Sequence, residues 1–282
     1  MIDFAFLDSG TGGIPYLLYL KEKSPNAKCI YVGDTENFPY GEKSHEEVVS
    51  CALKVCSKIV EKFNPKVIVV ACNTISVNSL DILREAFPKT KFVGTVPAIK
   101  LAGDISKKRC IGLLATKATV ECPYNQDLKN HFASDCKMIL HPAPNLISFI
   151  EKKSFTSTEK EIENEIKPII DFFRKENCDV IILGCTHFLN YKDVFKKLAE
   201  PDIQIVDSVE GVVNRSLFVY DGGVAGVSTA EGVAENCEAG CSEGETSPIL
   251  SRVFVTGFYD KKDEKEYDVI CKRHNLDFGG IL

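Results

Sequence analysis

Two cysteines in this chain end apolar runs of one kind. The first run is Phe63-Asn64-Pro65-Lys66-Val67-Ile68-Val69-Val70-Ala71-Cys72-Asn73-Thr74. The second is Glu176-Asn177-Cys178-Asp179-Val180-Ile181-Ile182-Leu183-Gly184-Cys185-Thr186-His187. Aligned without gaps, they share the asparagine, the Val-Ile pair and the last cysteine. They lie about 110 residues apart, the size of one small domain. A thiol acts as a base only as thiolate, and a free cysteine has a pKa of ~8.5. A cysteine between a strand and a helix meets first-turn N–H groups and the positive end of the helix dipole, which favour the thiolate. Two equivalent thiols, one from each half, suit a reaction that needs an acid/base on each face of a substrate. Racemisation at a carbon is such a reaction.

His187, two residues after Cys185, is placed to polarise that thiol or exchange a proton with it. His45, His131, His141 and His274 have no comparable neighbours and read as structural or surface residues. Asp8-Ser9-Gly10-Thr11-Gly12-Gly13 resembles a phosphate-cradling loop, but it is not GxGxxG and no Gly-Lys-Ser/Thr follows. It reads either as a glycine-rich strand-to-helix turn or as a helix start whose N–H groups bind a carboxylate, with Asp8 and Ser9 facing the ligand. The chain holds 12 cysteines but no CxxC; the nearest pairs are Cys51/Cys56 and Cys237/Cys241. A chain of this size lacks the character of a small secreted disulfide scaffold, so most of these thiols read as buried small hydrophobes.

The elements that carry these residues alternate. Strands are predicted at 2–7, 28–32, 67–71, 92–94, 110–115, 138–140, 180–183, 204–206 and 252–256. Helices are predicted at 14–23, from an N-cap at Ser44 onward, and at 76–87, 146–152, 158–175, 194–200, 209–220 and 262–274. Ser44 with Glu47 has the capping-box offset, and Val48, Val49, Ala52, Val55, Cys56, Ile59 and Val60 form one apolar stripe behind it. The unbroken β-branched run at 67–71 suits a strand covered on both faces. Alternation of this kind predicts an α/β fold with mainly parallel sheets. Ligands in such sheets bind beyond the carboxyl ends of the strands, where Asp8, Cys72, Thr116 and Cys185 fall. The stretch 221–248 is rich in Gly, Glu, Ser and Ala and reads as a mobile loop or insertion.

At 282 residues the chain is long enough for two domains. Hydrophobic residues make up 44% and charged residues 26%, ordinary values for a soluble globular protein. The net charge of −6 offers no basic footprint for nucleic acid. No apolar run approaches the roughly 20 residues that span a bilayer. The first residues read as a strand without the basic region of a signal peptide, so a cytoplasmic location is expected. No metal-ligand cluster or pyridoxal phosphate motif is evident.

Several segments together resemble the cofactor-independent aspartate/glutamate racemase superfamily, and glutamate racemases in particular. They are Asp8-Ser9-Gly10-x-Gly12-Gly13, Pro39-Tyr40-Gly41, Ala71-Cys72-Asn73-Thr74, Val96-Pro97-Ala98-Ile99-Lys100, Thr116-x-x-Thr119 and Leu183-Gly184-Cys185-Thr186-His187. They keep the family's order and spacing across residues 1 to about 220. The family's usual Tyr-Pro-Leu after Gly-Cys-Thr-His is replaced by Phe188-Leu189-Asn190, and the 221–248 segment has no counterpart.

The resemblance implies two similar, pseudo-twofold-related α/β domains, 1–95 with 207–282 and 96–206, with the active site in the cleft between them. It implies cofactor-free interconversion of L- and D-glutamate, supplying peptidoglycan synthesis, by a chain that forms a homodimer. Cys72 would serve the D-enantiomer and Cys185 the L-enantiomer, assisted by Asp8 and His187 respectively. Ser9, Pro39, Tyr40, Gly41, Asn73, Thr74, Thr119 and Thr186 would hold the substrate, with Thr116 and Glu151 as further candidates. Aspartate racemisation, or binding of an amino acid without catalysis, are the competing expectations.

Overall fold

The computed structural model describes residues 2–153, 157–223, 251–258 and 263–282. The 221–248 segment lies outside them from residue 224 onward, with Cys237 and Cys241. The described strands are β1 (Phe4–Asp8), β2 (Cys29–Gly33), β3 (Val67–Val70), β4 (Lys91–Gly94), β5 (Cys110–Ala115), β6 (Lys137–Pro142), β7 (Val180–Leu183), β8 (Gln204–Val206), β9 (Arg252–Val255) and β10 (Asp277–Ile281). They form two sheets, in the orders β10-β9-β2-β1-β3-β4 and β6-β5-β7-β8. Every pairing is parallel.

The order β2-β1-β3-β4 in the first sheet recurs as β6-β5-β7-β8 in the second. Cys72 therefore follows the third strand of one four-strand unit, and Cys185 the third strand of the other. The duplication visible in the two cysteine runs is a duplication of topology. The central strands β1, β3, β5 and β7 are buried along their whole length, as their continuous apolar runs require. Edge strand β10 exposes alternate residues, and edge strand β6 exposes Lys137, Leu140 and Pro142.

Helices begin where caps permit. Ser44 caps helix His45–Phe63 with the reciprocal Glu47 bond, and Thr158 caps helix Glu159–Lys175 with Glu161 in the same way. Strands β5, β7 and β8 and the helices Ile14–Lys23 and Val209–Tyr220 match their predicted limits.

The structure departs from the prediction at the site itself. The helix expected from residue 76 begins at Asn73, which makes Cys72 its N-cap. Cys185 precedes no α-helix directly: Thr186–Tyr191 form a 3₁₀ stretch, and helix Lys192–Ala199 comes after it. Sequence pattern also missed helices Ile99–Ile105, Lys117–Glu121 and Pro123–Phe132, and strand β10. The first two are too short to show an apolar period, and β10 carries Gly279-Gly280 in place of β-branched residues.

Candidate active site

The first half of the site lies at the carboxyl ends of β1 and β3. Parallel pairing of β1 with β3 sets Leu7 beside Val70, so Asp8 and Cys72 emerge at the same edge. Cys72 is 5% exposed, and its Sγ lies 3.8 Å from Ser9 Oγ. Burial, reinforced by the Asp8 carboxylate, pushes this thiol well above its ordinary range, while the Ile75 N–H in the first helical turn pulls the other way. The helix start thus acts in the expected direction, but desolvation outweighs it. Asp8 is fully buried and accepts hydrogen bonds from Gly13 N (3.0 Å), Tyr31 OH (3.2 Å) and Thr186 Oγ1 (3.2 and 3.3 Å to its two oxygens). Burial raises its carboxyl pKa; nearby His187 lowers it, and Glu151 raises it further.

The second half is a linear chain of hydrogen bonds at the end of β7. Cys185 Sγ lies 3.5 Å from His187 Nδ1, and His187 Nε2 lies 2.9 Å from Glu151 Oε2. His187 and Glu151 are both buried. Burial alone would depress the imidazole, but Cys185 and Glu151 overcome it and hold His187 well above the ordinary histidine value of 6.5. As an imidazolium it donates from both ring nitrogens, one to the thiol and one to the carboxylate. Glu151 comes from helix Pro144–Lys152, which places it under the imidazole rather than in solvent among Lys152 and Lys153. The ring of Phe38 covers His187 at a centroid distance of 5.5 Å.

The two halves meet along a seam with no room for added side-chain carbon. A Cβ on Gly12 would lie 2.6 Å from His187 N, and one on Gly41 would lie 2.7 Å from Thr116 Cβ. Thr74 Oγ1 lies 3.1 Å from Thr116 Oγ1 and 3.4 Å from Thr119 Oγ1, joining the two units by hydroxyls. Thr116 also caps its helix by accepting from Thr119 N at 3.1 Å. Thus Asp8, Ser9, Cys72 and Thr74 from one unit face Thr116, Thr119, Glu151, Cys185, Thr186 and His187 from the other.

Tyr40 is buried and donates to Asp34, with the half-buried Pro39 and Gly41 on either side. Asn73 is buried with its Oδ1 unpartnered. One reading requires correction. The start of helix Ile14–Lys23 does not present free N–H groups to a carboxylate: Gly13 N is taken by Asp8, Ile14 N by the Thr11 carbonyl (3.3 Å), and Pro15 has none. Gly10 and Gly12 of this loop serve close approach between the two units.

Three contributors were not anticipated. Asp34, fully buried, accepts from Asn37 Nδ2 (3.0 Å), Thr256 Oγ1 (2.6 Å) and Tyr40 OH, and so ties the Tyr40 loop to the end of β9. Tyr31 donates to the Gly10 carbonyl at 2.8 Å. Thr11 Oγ1 donates to Glu151 Oε2 at 3.3 Å. Asp34 follows strand end Gly33, which pairs with Asp8, so its position carried a signal. Tyr31 and Thr11 carried none.

Fold and site define a class: a two-sheet α/β protein with a cysteine at the matching strand end of each sheet, both facing one cleft. Residues 19–215 match the model of the Asp/Glu/Hydantoin racemase family. The chain belongs to that family, and by class it is a racemase, an isomerase. It is 38% identical to a glutamate racemase of Treponema pallidum (strain Nichols) over 214 residues, covering 76% of this chain and 80% of that protein. Against a glutamate racemase of Proteus mirabilis (strain HI4320) it is 36% identical over 251 residues, covering 88% and 85%. The fold is similar to the crystal structure of Escherichia coli glutamate racemase in complex with L-glutamate and the activator UDP-MurNAc-ala. The TM-score is 0.81 and the identity 25%, over 100% of this chain and 98% of that one. Among the described residues, no helix is long and apolar enough to cross a membrane.

Proposed function

We propose that this chain interconverts L- and D-glutamate without a cofactor, with Cys72 and Cys185 as the two acid/bases. The observation that carries this reading is the equivalent placement of the two thiols: each ends the third strand of a unit with the same strand order, and both units contribute to one buried cleft. In one direction a thiolate takes the α-proton, so the C–H bond breaks and an S–H bond forms. The opposite thiol gives its proton to the other face of the carbanion. In the reverse direction the roles exchange. Enantiomers have equal free energy in water, so both thiols must serve in either role.

The α-proton is a weak acid, and the site must stabilise the carbanion by fixed donors in a dry cleft. Asn73, Thr74, Thr119 and Thr186 are buried and supply polar groups there. They are the donors and acceptors this reading assigns to the substrate's carboxylates and ammonium, together with Ser9, Tyr40 and the backbone at Pro39 and Gly41, with Thr116 alongside. The substrate ammonium brings a positive charge to a thiol that burial keeps protonated, which lowers the cost of forming the Cys72 thiolate. Asp8 then acts on Cys72 through charge, and His187 with Glu151 acts on Cys185. The partition of strands supports residues 1–95 with 207–282 as one domain and 96–206 as the other. The names of the relatives support D-glutamate supply for peptidoglycan in a bacterial cytoplasm, and a homodimer remains the assembly implied by family resemblance.

Proton NMR in D2O with L-glutamate, and separately L-aspartate, tests the reading without added cofactor. Loss of the glutamate α-proton signal together with appearance of D-glutamate is the expected result. Exchange with aspartate alone would transfer the substrate assignment to aspartate, and exchange with neither would leave binding without catalysis.

A further inference from the structure

The loop between β1 and helix Ile14–Lys23 belongs to the first unit, yet three consecutive residues of it close on the base assembly of the second. Gly10 lies so near the Glu151 carboxylate that an added Cβ would sit 2.6 Å from Oε1. Gly12 lies against the His187 backbone at a similar approach. Between them Thr11, 3% exposed, donates from Oγ1 to Glu151 Oε2, the same oxygen that faces His187 Nε2. Glu151 Oε1 is buried without a partner, so the whole hydrogen-bonded hold on this carboxylate passes through Oε2.

We propose that Thr11 is a positioning residue for the second base: its hydroxyl fixes the Glu151 carboxylate that orients His187 on Cys185. The inference rests on the proposed two-thiol racemisation for its kinetic consequence, though not for the contact itself. A carboxylate oxygen that accepts from both Thr11 and His187 is held in one rotamer and divides its acceptor strength between two donors. Without the hydroxyl, the carboxylate is freer to rotate away and draws more strongly on the His187 Nε2–H when it stays. Either change weakens the fixed geometry of His187 against Cys185. Cys72 is untouched, because among the described residues the Thr11 hydroxyl bonds only to Glu151. The hydroxyl thus makes the first unit a support for the base of the second.

The test compares wild type, Thr11→Val, which keeps the shape and removes the donor, and Thr11→Ser, which restores it. In Thr11→Val the kcat/KM for glutamate should fall about five- to tenfold, the loss typical of one ordinary net hydrogen bond. The fall must be equal in both directions, because the two enantiomers have equal free energy. The distinguishing readout is the α-deuterium isotope effect on kcat/KM. It should rise for the enantiomer deprotonated by Cys185 and fall for the other, since only the Cys185 step is slowed. In parallel, the His187 ring resonances should move in ¹⁵N–¹H spectra of ligand-free Thr11→Val and return in Thr11→Ser. Unchanged ring resonances, or isotope effects that move together, would overturn the proposal. If wild type fails to racemise glutamate, the substrate reading falls, and the imidazole spectra alone then decide the Thr11 assignment.

Discussion

The two cysteine sites share a strand position and almost nothing else. Cys72 caps a 14-residue α-helix and has a serine hydroxyl at 3.8 Å as its hydrogen-bonding neighbour. Cys185 precedes a 3₁₀ stretch and leans on an imidazole backed by a carboxylate. In the proposed reaction, thiolate formation at the first site depends on a helix start and on the charge of the substrate ammonium. At the second, an imidazolium and its carboxylate counter-ion are built in. A duplicated fold therefore supplies equivalent positions for two bases without supplying equivalent means of activating them. Both directions of a racemisation need both thiols, so the two solutions must be adequate rather than identical.

The strongest way to break this comparison is to remove the thiols singly. Cys72→Ser and Cys185→Ser should each abolish racemisation in both directions, a loss of at least about 10³-fold, because a hydroxyl is a far poorer acid/base than a thiol at neutral pH. Chiral chromatography of the products measures it. If either serine variant retained near-normal turnover, one thiol would be a packed core residue and the two-base scheme would fail.

A smaller effect should separate the sites. Glu151→Gln keeps the shape beneath His187 and removes the charge that helps raise its pKa. The midpoint of His187 titration, followed by NMR, should move down toward 6.5, and turnover should fall on the order of 10- to 100-fold. The sign follows from the cause: a carboxylate stabilises the imidazolium, so its loss lets the proton leave at lower pH. Cys72 has no such partner, so iodoacetamide labelling of Cys72 should keep its pH dependence in this variant. A shift of both thiols together would mean that the cleft titrates as one unit, and the contrast drawn above would be lost.

How far each site was legible follows from the same contrast. The strand-end position of both thiols was readable, because continuous β-branched runs announce buried parallel strands. The Cys185 partner His187 was readable because it lies two residues away in sequence. Glu151 entered only through family resemblance, since a glutamate followed by two lysines is as consistent with a solvated helix end as with a buried counter-ion. Asp34 and Thr11 were missed as site contributors for a different reason. Their partners Tyr40, Thr256 and Glu151 lie on other elements, and no periodicity encodes a contact across 140 or 222 residues. The glycine loop misled in an instructive way. Glycines at a helix start suggest a ligand cradle, whereas here they give room for the second unit's backbone and for the Glu151 carboxylate.

The gentlest test uses a second pair of thiols as a control. Cys110 and Cys178 lie 3.7 Å apart, sulfur to sulfur, near the amino ends of β5 and β7, with Cys110 also 3.4 Å from the Glu176 carbonyl. Burial, then the neighbouring sulfur, pushes the Cys178 thiol well up, so it resists ionisation as Cys72 does. What it lacks is position: ligands bind at the carboxyl ends of parallel strands, and this pair sits at the opposite ends. Cys178→Ala should therefore leave kcat and KM within about twofold and cost on the order of 1 kcal/mol in denaturant unfolding, the price of a small core truncation. A large catalytic loss in a stably folded Cys178→Ala chain would show that the far end of β7 governs the placement of Cys185. Strand position alone would then no longer explain the choice of two buried cysteines for the proposed chemistry.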